Sequence, residues 1–482
     1  MTAAIQLKNI HFSYDEKAHQ LKNFDLEIPK GACVLLTGGS GCGKTTVTRL
    51  INGLIPNYFE GDLEGEIYLS GKNTAQFESW EYGKYVGSVF QDSRAQFFTA
   101  HVLDELAFAS ENYGTDAKII RQRISDVLQG NQITDLRNQK LAHLSSGEKQ
   151  KIAMSAVQVH DPDIYVLDEP SANLDDASCL ILAKALNALK QQGKTILIAD
   201  HRIYYLLDIV DRIVYMDNGA IANQWTQREF KQLDPDYLSL IGIRSSAAIT
   251  LKDVVAASSQ PENSESERSE SDVLQLHHLA VGHGLRKEPL LQGINLSIKK
   301  GEVVVLTGKN GIGKTTFAQT LCGLQKEKSG NITFNDQVLS KKKRVQKFWF
   351  VLQDADYQLF SDSVMNELLL GLDNTQANRA LAAKLLQELG LEQVKDQHPA
   401  SLSGGQKQRV TFAVGLMRQP EYLILDEPTS GLDARNMKRM QKLIKEYSDR
   451  GIRFIIISHD FEFALRLGCP TINMDAYRVK KI

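Results

Sequence analysis

Gly38-Gly39-Ser40-Gly41-Cys42-Gly43-Lys44-Thr45-Thr46 follows the apolar run Cys33-Val34-Leu35-Leu36-Thr37. The same arrangement returns as Gly308-Lys309-Asn310-Gly311-Ile312-Gly313-Lys314-Thr315-Thr316 behind Val303-Val304-Val305-Leu306-Thr307. Runs apolar at successive positions suit strands buried on both faces of a parallel sheet. Helices are expected directly after them, over 45–54 and 315–324. A strand, a glycine loop and a helix form the context that a phosphate-binding GxxxxGK[ST] motif requires. Glycines let backbone N–H groups turn towards phosphate oxygens, and the helix N-terminus adds positive potential. In that motif Lys44 and Lys314 would reach the β- and γ-phosphates of a nucleotide. The Thr45 and Thr315 hydroxyls ligate Mg²⁺, and Gly38, Gly41, Gly43, Thr46, Gly308, Gly311, Gly313 and Thr316 complete the two cradles.

Working outward, a second pair of motifs keeps the register. Tyr165-Val166-Leu167-Asp168-Glu169-Pro170 recurs as Leu423-Ile424-Leu425-Asp426-Glu427-Pro428. From Asp168 to His201, and again from Asp426 to His459, is 33 positions. Asp168 and Asp426 end buried strands, where each can hold Mg²⁺ through water. The following Glu169 and Glu427 can polarise an attacking water as general bases. A repeat of this length is a duplicated domain rather than a solenoid unit, whose period is roughly 20 to 50 residues.

The 482 residues suit two to four domains at about 150 residues each. The balance of 58 acidic against 56 basic residues, net −2, argues against a polyanion binder held by bulk charge. Five dispersed cysteines without a CxxC pair argue against a zinc site or a disulfide framework. No run is long enough for a spanning helix, and the first residues lack the pattern of a signal peptide. Work at a membrane would therefore need partners. Ser258 to Asp272, rich in Ser and Glu and free of aliphatic and aromatic residues, reads as a flexible tether. The expected domains are 1–245 and 273–482 with a linker over 246–272, and 225–257 is a candidate helical cap on the first domain.

Leu402-Ser403-Gly404-Gly405-Gln406-Lys407-Gln408-Arg409 resembles the LSGGQ signature of ABC ATPases. Leu144-Ser145-Ser146-Gly147-Glu148-Lys149-Gln150-Lys151 looks like a variant of it. Each lies 21 positions before its acidic strand end. The resemblance implies an α/β fold of two tandem P-loop NTPase domains. Each would have a RecA-like mixed sheet core, an antiparallel β subdomain and a helical signature subdomain. It also implies that Ser145, Gly147, Ser403, Gly405 and Gln406 contact the nucleotide held by the opposite domain. Gln91 and Gln353 resemble the Q-loop glutamine that senses Mg²⁺. Asp175 and Asp433 resemble the D-loop acid, and His201 and His459 the switch histidine. Tyr14 sits where the family stacks an aromatic on adenine, and aligning Leu7 with Leu276 puts His283 opposite it.

The departures from the family pattern meet at one site. In the head-to-tail arrangement that the resemblance implies, the first phosphate loop, with Glu169 and His201, pairs with the intact second signature. The second loop, with Glu427, His459 and His283, pairs with the altered first one. Both sites are expected to bind ATP, and the first to turn over faster.

Three kinds of tandem ABC protein are weighed. A ribosome factor would carry a long basic spacer, and a DNA-repair ATPase would carry a large insertion between Gln91 and Gly147. The third is the energising subunit of an importer. The pattern Gln-Asp-x-x-x-Gln-[Leu/Phe]-Phe, at Gln91 to Phe98 and Gln353 to Phe360, is followed by Val-x-[Asp/Asn]-Glu at Val102 and Val364. It resembles the energy-coupling-factor importers of vitamins and transition metals. In that family the segment receives coupling helices of a transmembrane subunit, so Arg94, Gln96, Asp356 and Gln358 are expected to line the grooves. The implied partners are an integral membrane coupling subunit and a substrate-binding membrane subunit, with no nucleic acid. The implied place is the cytoplasmic face of the plasma membrane. The transported solute does not touch this chain, and no residue names it.

Overall fold

The computed structural model describes residues 3–14, 19–172, 174–258, 272–284 and 288–479. They form two compact units, Met1–Ala248 and Ile249–Ile482. In the first, the core sheet runs Ala220–Thr226, Arg212–Asp217, Cys33–Gly38, Thr195–Ala199, Ile164–Asp168, Val86–Val89. All pairings are parallel except that of Ala220–Thr226 with Arg212–Asp217. Every residue of Cys33–Gly38, Ile164–Asp168 and Thr195–Ala199 is buried, which is why these strands read as unbroken apolar runs. Beside the core lies an antiparallel sheet of His19–Pro29, Ala3–Ser13, Asp62–Leu69 and Lys72–Asn73. The helices Val102–Asn112, Ala117–Gly130 and Ser146–His160 share an apolar cluster around Leu106, Ile124 and Ile152.

The second unit repeats the plan. Its core order is Phe348–Val351, Tyr422–Asp426, Arg453–Ile457, Val303–Thr307, Thr471–Asn473, with parallel pairing throughout. The antiparallel sheet is Leu291–Lys299, Val273–Val281, Ser329–Phe334 and Gln337–Val338. Val364–Leu369, Gln376–Glu388 and Gly404–Met417 form the helical part.

Two boundaries differ from expectation. The helices after the phosphate loops span Lys44–Ile51 and Lys314–Leu321, short of Leu54 and Leu324. Gly53 has φ +75°, and a Cβ there would meet the Tyr82 ring at 2.5 Å; Gly323, also at φ +75°, would meet the Lys341 carbonyl at 2.6 Å. The chain must turn where a neighbouring segment crosses closely, and glycine allows both. The stretch read as tether and as cap of the first domain also divides. Gln227–Phe230 and Pro235–Ile241 pack on the first unit through Phe230 and Leu238. Leu251–Ser258 is instead a helix of the second unit, lying against Phe461–Leu467 and Thr471–Asn473. Val254 is 1% exposed in that unit's core, and Asp253 accepts from the Thr250 N–H at 2.8 Å and hydroxyl at 2.7 Å. Most of the Ser/Glu run, 259–271, lies outside the described residues. No helix among the described residues is long and apolar enough to cross a membrane.

Candidate nucleotide sites

In the first unit the loop between Cys33–Gly38 and Lys44–Ile51 is made by backbone that side chains would block. A Cβ on Gly38 would stand 2.2 Å from the Met216 carbonyl, and one on Gly43, at φ +106°, would meet the Leu21 side chain at 2.8 Å. The buried Lys44 Nζ donates to the Gly38 and Gly39 carbonyls at 3.1 Å each, so its charge lies inside the loop. In the second unit Lys314 Nζ donates to the Gly308 carbonyl at 2.6 Å and the Lys309 carbonyl at 3.0 Å. It also lies 2.9 Å from His459 Nε2.

The acidic strand ends reach these loops. Asp168 is buried, and its Oδ1 makes no hydrogen bond. Burial raises its pKa, opposed by the Thr45 hydrogen bond and by Lys44. Thr315 Oγ1 donates to Asp426 Oδ2 at 2.8 Å. Burial and neighbouring Glu427 push Asp426 up to about 7. Buried carboxylates that lack matching hydrogen-bond donors suit a cation, which would offset their desolvation.

Glu169 and Glu427 follow with φ of 45° and 49°, a conformation uncommon for residues with a side chain. Their N–H groups hold the next strand, Glu169 on the Ala199 carbonyl at 2.7 Å and Glu427 on the Ile457 carbonyl at 2.8 Å. The carboxylates therefore turn away from the strand direction. Gln91 Nε2 donates to Glu169 Oε2 at 2.8 Å, and His201 Nε2 lies 3.5 Å from Oε1. His459 Nε2 lies 3.7 Å from Glu427 Oε1, and the His459 backbone N–H donates to Oε2 at 3.3 Å. Glutamine, glutamate and histidine thus converge in the first unit, and glutamate, histidine and lysine in the second. Gln353 lies half-buried just past Phe348–Val351.

Tyr14 and His283 occupy equivalent places. The Tyr14 hydroxyl is 3.3 Å from Thr46 Oγ1, and His283 Nε2 is 3.3 Å from Thr316 Oγ1. Arg49 NH1 donates to Tyr14 OH at 3.0 Å, a partner with no motif to announce it. Gln408 is another: its Nε2 donates to the Glu427 carbonyl at 3.3 Å and braces the left-handed residue.

Both signature serines cap their helices in capping boxes, yet the boxes differ. Glu148 Oε2 accepts from Ser145 N at 2.8 Å and also from the Ser145 hydroxyl at 2.7 Å. Gln406 Oε1 accepts from Ser403 N at 2.9 Å. Gly147 is buried at the same helix position as Gly405, where a Cβ would stand 2.8 Å from the Gly431 carbonyl. Asp175 and Asp433 are N-caps, accepting from Ser178 N at 2.8 Å and Asn436 N at 2.7 Å.

The expectation that Gln96 and Gln358 line the grooves needs correction. Gln96 Oε1 accepts from the Phe90 N–H at 3.2 Å. Gln358 accepts from the Leu352 N–H and donates to the Phe350 carbonyl, both at 2.8 Å. These amides satisfy backbone groups left open where the strand ends, so they pin the turn from inside. Asp356 is tied to Lys407 at 2.7 Å. The side chain of Arg94 lies outside the described residues. Buried Glu105 accepts from Phe98 N at 3.0 Å and Thr99 N at 2.9 Å, and buried Glu367 from Phe360 N and Ser361 N at 2.7 Å each. What the two turns present outward are Phe98, 74% exposed, and Phe360, 76% exposed.

A glycine phosphate loop, a buried acidic strand end and a glutamate–histidine pair, present twice, define a P-loop nucleotide-hydrolysing enzyme. The sequence model of the ABC transporter family matches residues 21–172 and 291–430. The chain belongs to this family, and it is an ATPase with two ATP-binding domains in tandem. A relative from Treponema denticola, named "Putative ABC transporter ATP-binding protein", is 43% identical over 480 residues, 99% of this chain and 96% of its own. One from Bacillus subtilis strain 168, named "Putative HMP/thiamine import ATP-binding protein YkoD", is 31% identical over 95% of this chain and 87% of its own. Among solved structures, a model of ribosome-bound archaeal Pelota and ABCE1 is similar over 94% of this chain and 74% of that one, with 22% identity and a TM-score of 0.68. That likeness shows the fold alone.

Proposed function

We propose that the chain is the energising subunit of a membrane importer of the energy-coupling-factor type, carrying a vitamin or a transition metal. The observation that carries this reading is the matched pair of exposed phenylalanines, Phe98 and Phe360, on turns pinned by Gln96 with Glu105 and by Gln358 with Glu367. Each turn follows directly on Gln91 or Gln353. Buried glutamates spent on holding an apolar side chain in solvent make sense for docking. The import function in the Bacillus subtilis relative's name supports the same reading.

In this reading the chain works at the cytoplasmic face of the plasma membrane, held by a coupling subunit and a substrate-binding subunit. Lys44 and Lys314 neutralise the triphosphate. Glu169 and Glu427 take a proton from the attacking water, oriented by His201 and His459. Mg²⁺, which would neutralise phosphate charge, fits Thr45, Asp168 and Gln91 in one unit and Thr315, Asp426 and Gln353 in the other. Each signature serine serves the nucleotide of the other unit. The Ser145 proton is already engaged by Glu148, so the second phosphate loop is the less well served and turns over more slowly. Tyr14 and His283 support the adenines.

Phe98→Asp combined with Phe360→Asp tests the docking. The expected result is lost copurification with the membrane subunits and lost stimulation of ATP hydrolysis by them, at unchanged ATP affinity. Intact copurification would refute the docking role. Stimulation by ribosomes would favour a soluble translation factor instead.

A further inference from the structure

The second unit carries a cationic surface that the nucleotide sites do not use. Residues 324–347 hold seven basic side chains against two acidic ones, a net of +5 in a chain whose total is −2. The corresponding stretch of the first unit, 54–85, holds two against six. The correspondence is structural, since Gly53 packs on Tyr82 and Gly323 on Lys341 and Arg344.

Within this stretch the helix Lys341–Lys347, capped by Ser340, anchors itself through Arg344. That side chain is 2% exposed and donates to the Thr320 carbonyl and to Glu327, both at 2.7 Å. Lys347 is paired with Glu421. Glu327 and Glu421 are therefore engaged. Lys326, Lys341, Lys342 and Lys343 are exposed, and the last three form no ion pair among the described residues.

Apolar side chains are exposed among these lysines: Leu324 by 57%, Val338 by 62% and Val345 by 52%. Leu324 adjoins the helix start, because Gly323 lies against Lys341. A second cationic face of this unit, the outer side of Ala434–Asp449 with Lys442 and Lys445, exposes no large apolar residue. Solubility or bulk charge alone would not call for aliphatic groups among the lysines. Nor does a nucleic acid, whose bases stack on aromatic rings. Lysines with interleaved aliphatic groups match the headgroup boundary of an anionic bilayer, where charge meets phosphate and apolar tips enter the acyl margin.

We propose that the surface formed by Leu324, Val338 and the helix Lys341–Lys347 binds anionic phospholipid directly. It adds a lipid contact, on the second unit only, to whatever the protein partners supply. The reading stands apart from the importer assignment, since the contact is between this chain and lipid.

The test is flotation of the purified full-length chain with vesicles of phosphatidylcholine, alone or mixed with phosphatidylglycerol. Binding is expected only to the mixed vesicles, weakening as salt rises. K341E/K342E/K343E should lower the partition coefficient at least ~100-fold while ATP hydrolysis in solution persists, since each lysine near such a surface contributes about 1 kcal/mol. Leu324→Ser with Val345→Ser should weaken it further than salt alone does. Lys442→Glu with Lys445→Glu should leave it within a few-fold. No flotation, or equal loss from the Lys442/Lys445 pair, would overturn the proposal. So would tight binding to single-stranded RNA that the Leu324/Val345 pair does not affect.

Discussion

Replacing Glu169 by Gln is expected to remove most of the ATP turnover, lowering hydrolysis at its own site by roughly 10²–10⁴-fold, the usual contribution of a general base, and leaving the slower turnover of the second site. ATP binding should persist, because Lys44 and the phosphate loop are untouched. The carboxylate is placed by a left-handed backbone, by Gln91 at 2.8 Å and by His201 at 3.5 Å. Glutamine keeps the volume and loses the basic oxygen. Under the proposed pairing of each phosphate loop with the other unit's signature, Glu427→Gln should cost less, since the Ser145 hydroxyl of that signature already donates to Glu148 at 2.7 Å. Steady-state hydrolysis of the two single variants decides the order. Abolition by Glu427→Gln alone, with Glu169→Gln still active, would reverse the ranking.

The second large effect is on binding. Lys44→Ala and Lys314→Ala should each reduce the nucleotides bound tightly per chain from two to one, read by titration calorimetry with a slowly hydrolysed ATP analogue. Hydrogen bonds to charged groups contribute about 1.5–3 kcal/mol each, so a phosphate losing its lysine binds roughly 10–100-fold more weakly per bond. Lys314→Ala should also free His459 Nε2, which it holds at 2.9 Å, and so impair hydrolysis as well as affinity. Two tight sites remaining in either variant would contradict the assignment of the loops.

Much of this site was legible beforehand because phosphate binding imposes local rules. Gly38 and Gly43 cannot carry a side chain where the Met216 carbonyl and Leu21 stand, so the loop appears in sequence as glycines at fixed spacing. The buried strands appear as unbroken apolar runs because both faces are covered. Contacts between distant segments left no such trace. Gln96 and Gln358 look like polar surface residues, and only the fold shows their amides closing backbone gaps at the strand ends. Arg49 and Gln408 meet Tyr14 and the Glu427 carbonyl through tertiary packing that no spacing encodes. Composition suggested a tether from 246, yet Val254 finds a core to enter, so Leu251–Ser258 folds onto the second unit.

In the proposed function the two ATPase units close on nucleotide, each signature turn meeting the other unit's phosphate loop. Ser146→Cys with Asn310→Cys tests it in a chain carrying Glu427→Gln, using a short bismaleimide. Both positions are exposed and the five native cysteines are buried. Rapid cross-linking with ATP and Mg²⁺, and little without them, is the predicted outcome. Equal or absent cross-linking in both conditions, with ATP bound, would contradict the account.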